Sequence, residues 1–191
     1  MSVAGIILAA GASRRMGTHK ALLDYRGETF LDRLIGCLVP YCSPVVVVLG
    51  AGAVEIQPRL IRGAQARIVV NPDWEAGQLT SLQCGLRALE APCGVLFTLV
   101  DHPAVRPETV ARLAAGPGLL RIPRFAGRRG HPVYFASQLI PEFLALGPAA
   151  SARDVVDRHA DRTVYVDVDD PGIACDIDDP AAYRQLLEGR L

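Results

Sequence analysis

Four short apolar runs, at residues 4–8, 45–49, 67–70 and 95–100, constrain the fold more than any other feature. Each is too short for a helix of ordinary length, and polar residues hardly interrupt them. A strand with one wet face alternates in polarity, whereas a strand covered on both faces need not. Amphipathic stretches lie between the runs, at 29–38, 53–61 and 78–89. The last places Leu79, Leu82, Leu86 and Leu89 on one helical face. Buried strands alternating with amphipathic helices predict an α/β fold. The expected form is a Rossmann-like, three-layer, mostly parallel sheet with helices on both faces and right-handed crossovers.

The alternation loosens after Pro107. The pattern there predicts a helix at 108–115, then strands at 119–123 and 133–135 around the basic turn Ala126-Gly127-Arg128-Arg129-Gly130. Helices at 137–146 and 151–158 and a strand at 163–168 follow. Asp176-Ile177-Asp178-Asp179 then leads into a closing helix, with Pro180 suited to its first turn. No repeat or low-complexity linker divides the chain, so residues 1–191 read as one domain.

Charge and cysteine content narrow the partners. Twenty basic residues balance twenty acidic ones, so no overall field favours nucleic acid or an anionic membrane. No apolar run approaches the ~20 residues of a membrane span. Five cysteines without a C-x-x-C pair argue against a disulfide framework and a zinc site, and for a reducing cytoplasm. As small buried hydrophobes they need no further role.

Three places carry chemistry. The first strand runs into Gly11-Ala12-Ser13-Arg14-Arg15-Met16-Gly17-Thr18-His19-Lys20. Loops at the carboxyl ends of parallel strands are where ligands bind in such sheets. Gly11 and Gly17 let backbone approach a ligand, and Arg15 and Lys20 can neutralise phosphate charge. The loop is neither a Walker A motif nor G-x-G-x-x-G. The second place is Asp101, which ends the apolar strand at 95–100 and so faces the same crevice. A carboxylate there can hold Mg²⁺ beside phosphate oxygens, or cap a turn. The third is Asp176-Ile177-Asp178-Asp179, where extended alternation puts Asp176 and Asp178 on one side. Either could be a second metal ligand, and Asp179 suits a helix N-cap.

Taken together, these segments resemble the MobA-like nucleotidyltransferases, and most of all the molybdenum cofactor cytidylyltransferase branch. The family opening L-A-A-G-x-S-x-R-M-G-x-x-K is matched by Leu8-Ala9-Ala10-Gly11, Ser13, Arg15-Met16-Gly17 and Lys20. The resemblance continues through Asn71-Pro72, Gly77 to Ser81-Leu82, Asp101-x-Pro103, Gly130-His131-Pro132 and Asp176-Ile177-Asp178, and so covers nearly the whole chain. It implies transfer of a nucleotide from an NTP to a phosphorylated small molecule, such as molybdopterin, with a molybdoenzyme or its chaperone downstream. A nucleotide-binding half at about 1–103 and an acceptor and metal half at about 104–191 follow from it. In such enzymes Leu8, Ala9, Ala10, Gly11, Ser13 and Gly17 form the nucleotide loop, and Arg15 and Lys20 contact phosphates. Gly77 to Ser81 belong to the nucleotide pocket, and Asp101 and Asp178 hold Mg²⁺. Ala10 favours CTP, since the guanylyltransferase branch tends to have glycine there. His131 can meet an acceptor phosphate or pack beside the basic turn.

The chain departs from the family at His102, where members often have glutamine or methionine. It departs again at Gly147-Pro148-Ala149-Ala150-Ser151-Ala152-Arg153, which keeps only the end of a Gly-Asp-x-Gly-Ala-Arg segment. Both departures bear on the acceptor rather than the nucleotide. The rival readings are a sugar-phosphate nucleotidyltransferase, a non-catalytic nucleotide or cofactor carrier, and a dehydrogenase.

Overall fold

A computed structural model describes residues 2–190. Strand β1 (Val3–Ala9) pairs in parallel with β4 (Val45–Leu49) on one side and β6 (Gly94–Leu99) on the other. A short hairpin, β2 (Asp24–Tyr25) and β3 (Glu28–Thr29), lies off the main sheet. Beyond β4 lies the edge strand β5 (Arg67–Val70). On the far side β6 pairs antiparallel with β9 (Val133–Ala136). That strand pairs antiparallel with β7 (Leu120–Phe125), which pairs in parallel with β10 (Thr163–Asp167). The two-residue strand β8 (Arg128–Arg129) folds back on β7. The eight-stranded sheet has the order β10-β7-β9-β6-β1-β4-β5, with β8 beside β7.

Helices cover both faces, and strand periodicity assigns side chains to each. Ile7, Val47 and Leu49 pack with Leu34 and Ile35 of α1 (Phe30–Leu38) and with Val110 and Leu113 of α4 (Pro107–Ala115). Ile6, Val46 and Val48 point the other way. They pack with Leu82 and Leu86 of α3 (Gln78–Arg87), Phe143 of α5 (Ile140–Ala145) and Val155 of α6 (Ala152–Arg158). Every residue of β4 is thus buried, which is why the sequence shows a run rather than an alternation. Gly85 lets α3 lie close on the sheet: a Cβ there would sit 3.0 Å from side-chain carbons of Ile6 and Val48.

Two of the expected helices are shorter than their patterns. Pro58 follows α2 (Ala53–Ile56), and the chain tightens into a 3₁₀ turn at Gln57–Arg59. The segment expected at 137–146 begins as a 3₁₀ turn at Ser137–Leu139 and becomes α5 only at Ile140, with Pro141 in its first turn. All five cysteines are free. Burial pushes the thiols of Cys37 and Cys42 up to about 12, so they serve as packing. Among the described residues no helix is long and apolar enough to cross a membrane.

From β1 the chain builds outward through β4 to β5, then returns to place β6 on the opposite side of β1. That reversal leaves a crevice at the carboxyl ends of β1 and β6. The tail returns to the crevice because several contacts tie it down. The buried Asp170 carboxylate accepts from Arg106 N (2.9 Å), Thr109 Oγ1 (2.7 Å) and Gly172 N (3.0 Å). Ile177 N donates to Asp101 O at 3.0 Å. Ile177 itself is buried with Tyr25, Phe30, Cys175 and Leu186, the last from the closing helix α7 (Pro180–Leu187). Asp179 caps that helix, accepting from Ala181 N and Ala182 N.

Asp170→Ala would strand two backbone donors and one hydroxyl inside the protein. Unsatisfied buried groups cost ~1–3 kcal/mol each, so a loss of roughly 3 kcal/mol is expected. Chemical denaturation measures it; a loss under about 1 kcal/mol would show that the tail is held mainly by its apolar contacts.

Candidate functional site

The loop after β1 is closed by its own residues. Ser13 adopts the left-handed conformation (φ 51°, ψ 37°), and its Oγ accepts from Lys20 N at 3.0 Å. A single 3₁₀ turn, Arg14–Met16, lies between them and ends at Gly17 (φ 68°), a backbone shape that glycine adopts without strain. This closure turns Lys20 inward, with its side chain 11% exposed, while Arg15 stays 73% exposed.

Lys20 Nζ donates to Asp178 Oδ1 at 2.7 Å and to Asp101 Oδ2 at 3.2 Å. Arg15 Nη2 donates to the other oxygen of Asp178 at 3.0 Å. One ammonium therefore bridges carboxylates from the end of β6 and from the segment before α7. The Lys20 hydrogen bond holds the Asp178 carboxyl below its ordinary range, with the Lys20 and Arg15 charges adding to the effect. Asp176 is raised, first by burial and then by the neighbouring Asp101 and Asp178 charges.

The other oxygen of Asp101 behaves differently. Oδ1 is buried without a hydrogen-bond partner, and His102 Nε2 lies 3.8 Å away. Burial pushes the His102 imidazole down to about 4, with the Lys20 charge acting in the same direction. His131 is likewise pushed down to about 4, by burial and then by His102. The two rings stand 4.9 Å apart, and His131 meets Phe97 edge-on at 5.4 Å.

The opposite wall comes from the segment after β5. Buried Asn71 is its anchor: Nδ2 donates to Thr80 Oγ1 and Ser81 Oγ, both at 3.0 Å, and Oδ1 accepts from Asp73 N at 3.0 Å. Gly77 (φ 112°, ψ 177°) precedes α3. No L side chain takes that backbone readily, and it aims the start of α3 into the crevice.

The resulting cleft measures about 680 Å³. Of the residues expected from the sequence, Leu8, Ala10, Gly11, Ser13, Arg15, Lys20, Gly77, Ser81, Asp101 and Asp178 all line it. Ala9, Gly17 and His131 do not. Ala9 faces the helical layer with α1, and His131 packs behind Asp101 against His102. Arg14, Trp74 and Glu75 also line the cleft and were not among the expected residues. The only tryptophan of the chain, placed in a turn just after Asn71-Pro72, was the signal available. Among the described residues, Asp101, His102 and Asp176 each offer a donor atom within 4.8 Å of the others. The carboxylate oxygens of this cluster and of Asp178 are hard donors that suit a divalent cation.

The description of the MobA-like NTP transferase domain matches residues 5–163. The nicotine blue oxidoreductase of Paenarthrobacter nicotinovorans is 34% identical, over 97% of this chain and 96% of its own. The molybdenum cofactor cytidylyltransferase of Escherichia coli is 27% identical, over 96% of this chain and 94% of its own. The structure of Rv0371c from Mycobacterium tuberculosis in complex with manganese superposes with a TM-score of 0.77 at 27% identity. It covers 98% of this chain and 99% of that one.

In chelator-treated protein the unfolding midpoint is expected to fall as the pH drops from 6.5 towards about 4. Imidazoles in the unfolded chain take up protons near ~6.5, whereas folded His102 and His131 do so only near 4. Unfolding therefore gains protons across that window, and acid favours it. His102→Gln removes one of the two groups and should flatten the slope. Thermal melts at stepped pH test this, and an identical slope in the variant would contradict it.

Proposed function

The chain belongs to the MobA-like NTP transferase family, and on that premise we propose that it transfers a nucleoside monophosphate from an NTP, CTP over GTP, to a phosphorylated acceptor. Molybdopterin carrying molybdenum is the acceptor that fits the family best, giving the cytosine dinucleotide form in the cytoplasm and releasing pyrophosphate. The carrying observation is the single ammonium of Lys20 between Asp101 and Asp178, on a glycine-rich cleft floor. The full-length likeness to a cytidylyltransferase supports this reading, as does Ala10, which lines the cleft at the position where the guanylyltransferase branch tends to have glycine.

The reaction is a displacement at phosphorus. An acceptor phosphate oxygen forms a bond to the α-phosphorus as the bond to the bridging oxygen breaks, and pyrophosphate leaves with that electron pair. No side-chain nucleophile takes part, so the protein acts by positioning and charge. The Ser13–Lys20 closure presents backbone N–H groups and two cations to the triphosphate. Arg15, largely exposed, is free to fork onto phosphate oxygens. Lys20 is held in the crevice by its carboxylates, within reach of triphosphate oxygens. Asp101 and Asp178 would hold a divalent cation, Mg²⁺ or the manganese seen with Rv0371c. Such an ion, when bound, supplies further positive charge to the phosphate oxygens. Ser81, fixed by Asn71, and the opening of α3 border the space for the base and ribose.

A second reading has one observation in its favour, the 34% identity to an oxidoreductase along nearly the whole chain. Hydride transfer gives no role to a lysine set between two aspartates, so nucleotidyl transfer is preferred. Assays decide between them. Pyrophosphate release is expected with CTP, a divalent cation and a molybdopterin acceptor, without oxidation of reduced nicotinamide. Oxidation without pyrophosphate release would reverse the assignment, and release only with a sugar phosphate would move the acceptor.

Three variants check the roles. Lys20→Ala and Arg15→Ala each lose a charge-assisted contact worth ~1.5–3 kcal/mol, or about tenfold or more in triphosphate binding or turnover. Asp101→Asn should lose most of the rate while its unfolding midpoint stays near that of the parent. Calorimetry should find CTP bound more tightly than GTP; the reverse order would assign the protein to guanylyl transfer.

A further inference from the structure

A second cavity, of about 220 Å³, shares no lining residue with the cleft. Three arginines open onto it, each from a different element: Arg26 from the β2–β3 turn, Arg33 from α1, and Arg106 from just before α4. One carboxylate faces them, that of buried Asp170. Its oxygens are taken up by Arg106 N, Thr109 Oγ1 and Gly172 N, and Arg106 Nε lies 4.0 Å away. Three guanidinium groups against one carboxylate leave two positive charges uncompensated in the pocket. Among the described residues, Arg26 and Arg33 form no ion pair. Both are held on one ring instead: their Cζ atoms stand 5.1 and 5.0 Å from the centroid of Tyr25. Arg33 Nε donates to Pro103 O at 2.9 Å, which leaves its two amino groups for a ligand. Gathering like charges costs Coulomb energy that an anion between them recovers. The hairpin turn adds an independent sign. Arg26 (φ 59°) and Gly27 (φ 83°) both take left-handed backbone, the shape of a two-residue turn whose first position asparagine or glycine fills easily. Arginine accepts strain there and sets its guanidinium on Tyr25, and strain kept at one residue points to a task.

We propose that Arg26, Arg33 and Arg106 form a binding site for the phosphate group of a small molecule, separate from the cleft. Charge and shape select that chemistry. A phosphate dianion matches the two uncompensated charges, and guanidinium forks present paired N–H groups to its oxygens. A single carboxylate would leave one charge unmet. Tyr25 and Leu186, both buried, border the space beside the arginines, so the cavity admits a phosphomonoester as well as inorganic phosphate. Ala104 and Cys175 also line it. They belong to the segments that carry Asp101 and Asp178, so an occupant would touch the back of both. The assignment stands apart from the identity of the NTP and the acceptor.

The test is titration of ¹⁵N-labelled protein with inorganic phosphate and with glycerol 3-phosphate, read by NMR at fixed ionic strength. Saturable shifts are expected at the amides of Gly172, Cys175 and Gly189 and at the Arg33 Nε–H. Lys20→Ala, which removes a cation from the cleft, should keep them. Arg26→Asn should weaken binding by about tenfold or more, the loss of one charge-assisted contact. Its unfolding midpoint should stay level or rise, because asparagine suits the turn. Weaker binding without lost stability is a result that a merely structural arginine would not give. Arg106→Gln should weaken binding as well. Tighter binding of the ester assigns the site to a phosphorylated metabolite, and tighter binding of inorganic phosphate assigns it to the free ion. Shifts confined to residues 11–20 overturn the proposal. So do equal shifts with acetate or chloride, or unchanged affinity in Arg26→Asn. Because no nucleotide enters the titration, failure here would leave nucleotidyl transfer standing, and failure of the pyrophosphate assay would leave the phosphate site standing.

Discussion

Lys20 Nζ sits between two carboxylates that would otherwise repel one another, and the arrangement of the cleft depends on it. Asp101 is fixed by the end of β6, because its strand is buried and its backbone oxygen accepts from Ile177 N. Asp178 follows from that same bond, one residue along. The ammonium bonds to both, Arg15 supplies a second positive charge at Asp178, and the Ser13 hydroxyl fixes the backbone that delivers the lysine. Remove the positive charge, and two acidic groups would face each other across a partly desolvated crevice, where Coulomb repulsion is stronger than in water. The same charge balance suits the cleft to a ligand that brings negative charge of its own.

Much of this was legible in the sequence, for physical reasons that differ by region. Strands β1, β4 and β6 are buried on both faces, so their residues had to be apolar throughout, and the runs at 4–8, 45–49 and 95–100 showed them. The cleft lies where such a sheet must open, which is why glycines and cations after β1 and a carboxylate after β6 were telling. The antiparallel strand β9 was less legible as such. Four residues with three buried look the same in either direction, and only pairing with β6 and β7 fixes the sense. The β2–β3 hairpin was invisible because two residues per strand give no period to read. Trp74 escaped notice because its place depends on Asn71, whose hydrogen bonds tie the turn after β5 to the start of α3.

The division of Asp101 between two environments could not be read from the sequence at all. One letter stands for both oxygens. Oδ2 belongs to the charged floor of the cleft, and Oδ1 to a dry corner shared with His102 and backed by His131. A histidine beside that aspartate in the chain could have pointed anywhere. The packing of its ring beside His131, and of His131 edge-on against Phe97, turns it towards the carboxylate.

The staple between Ile177 and Asp101 also has a meaning in time. Lys20 and Asp178 are separated by 158 positions, and a ribosome adding ~5–20 residues per second delivers them many seconds apart. Through that interval the nascent chain holds the glycine-rich loop and its cations without their later carboxylate. Contacts so distant along the chain form late in folding, since closing the long loop must precede any gain from them. A chain cut short before Asp178 therefore lacks a carboxylate that completes the site.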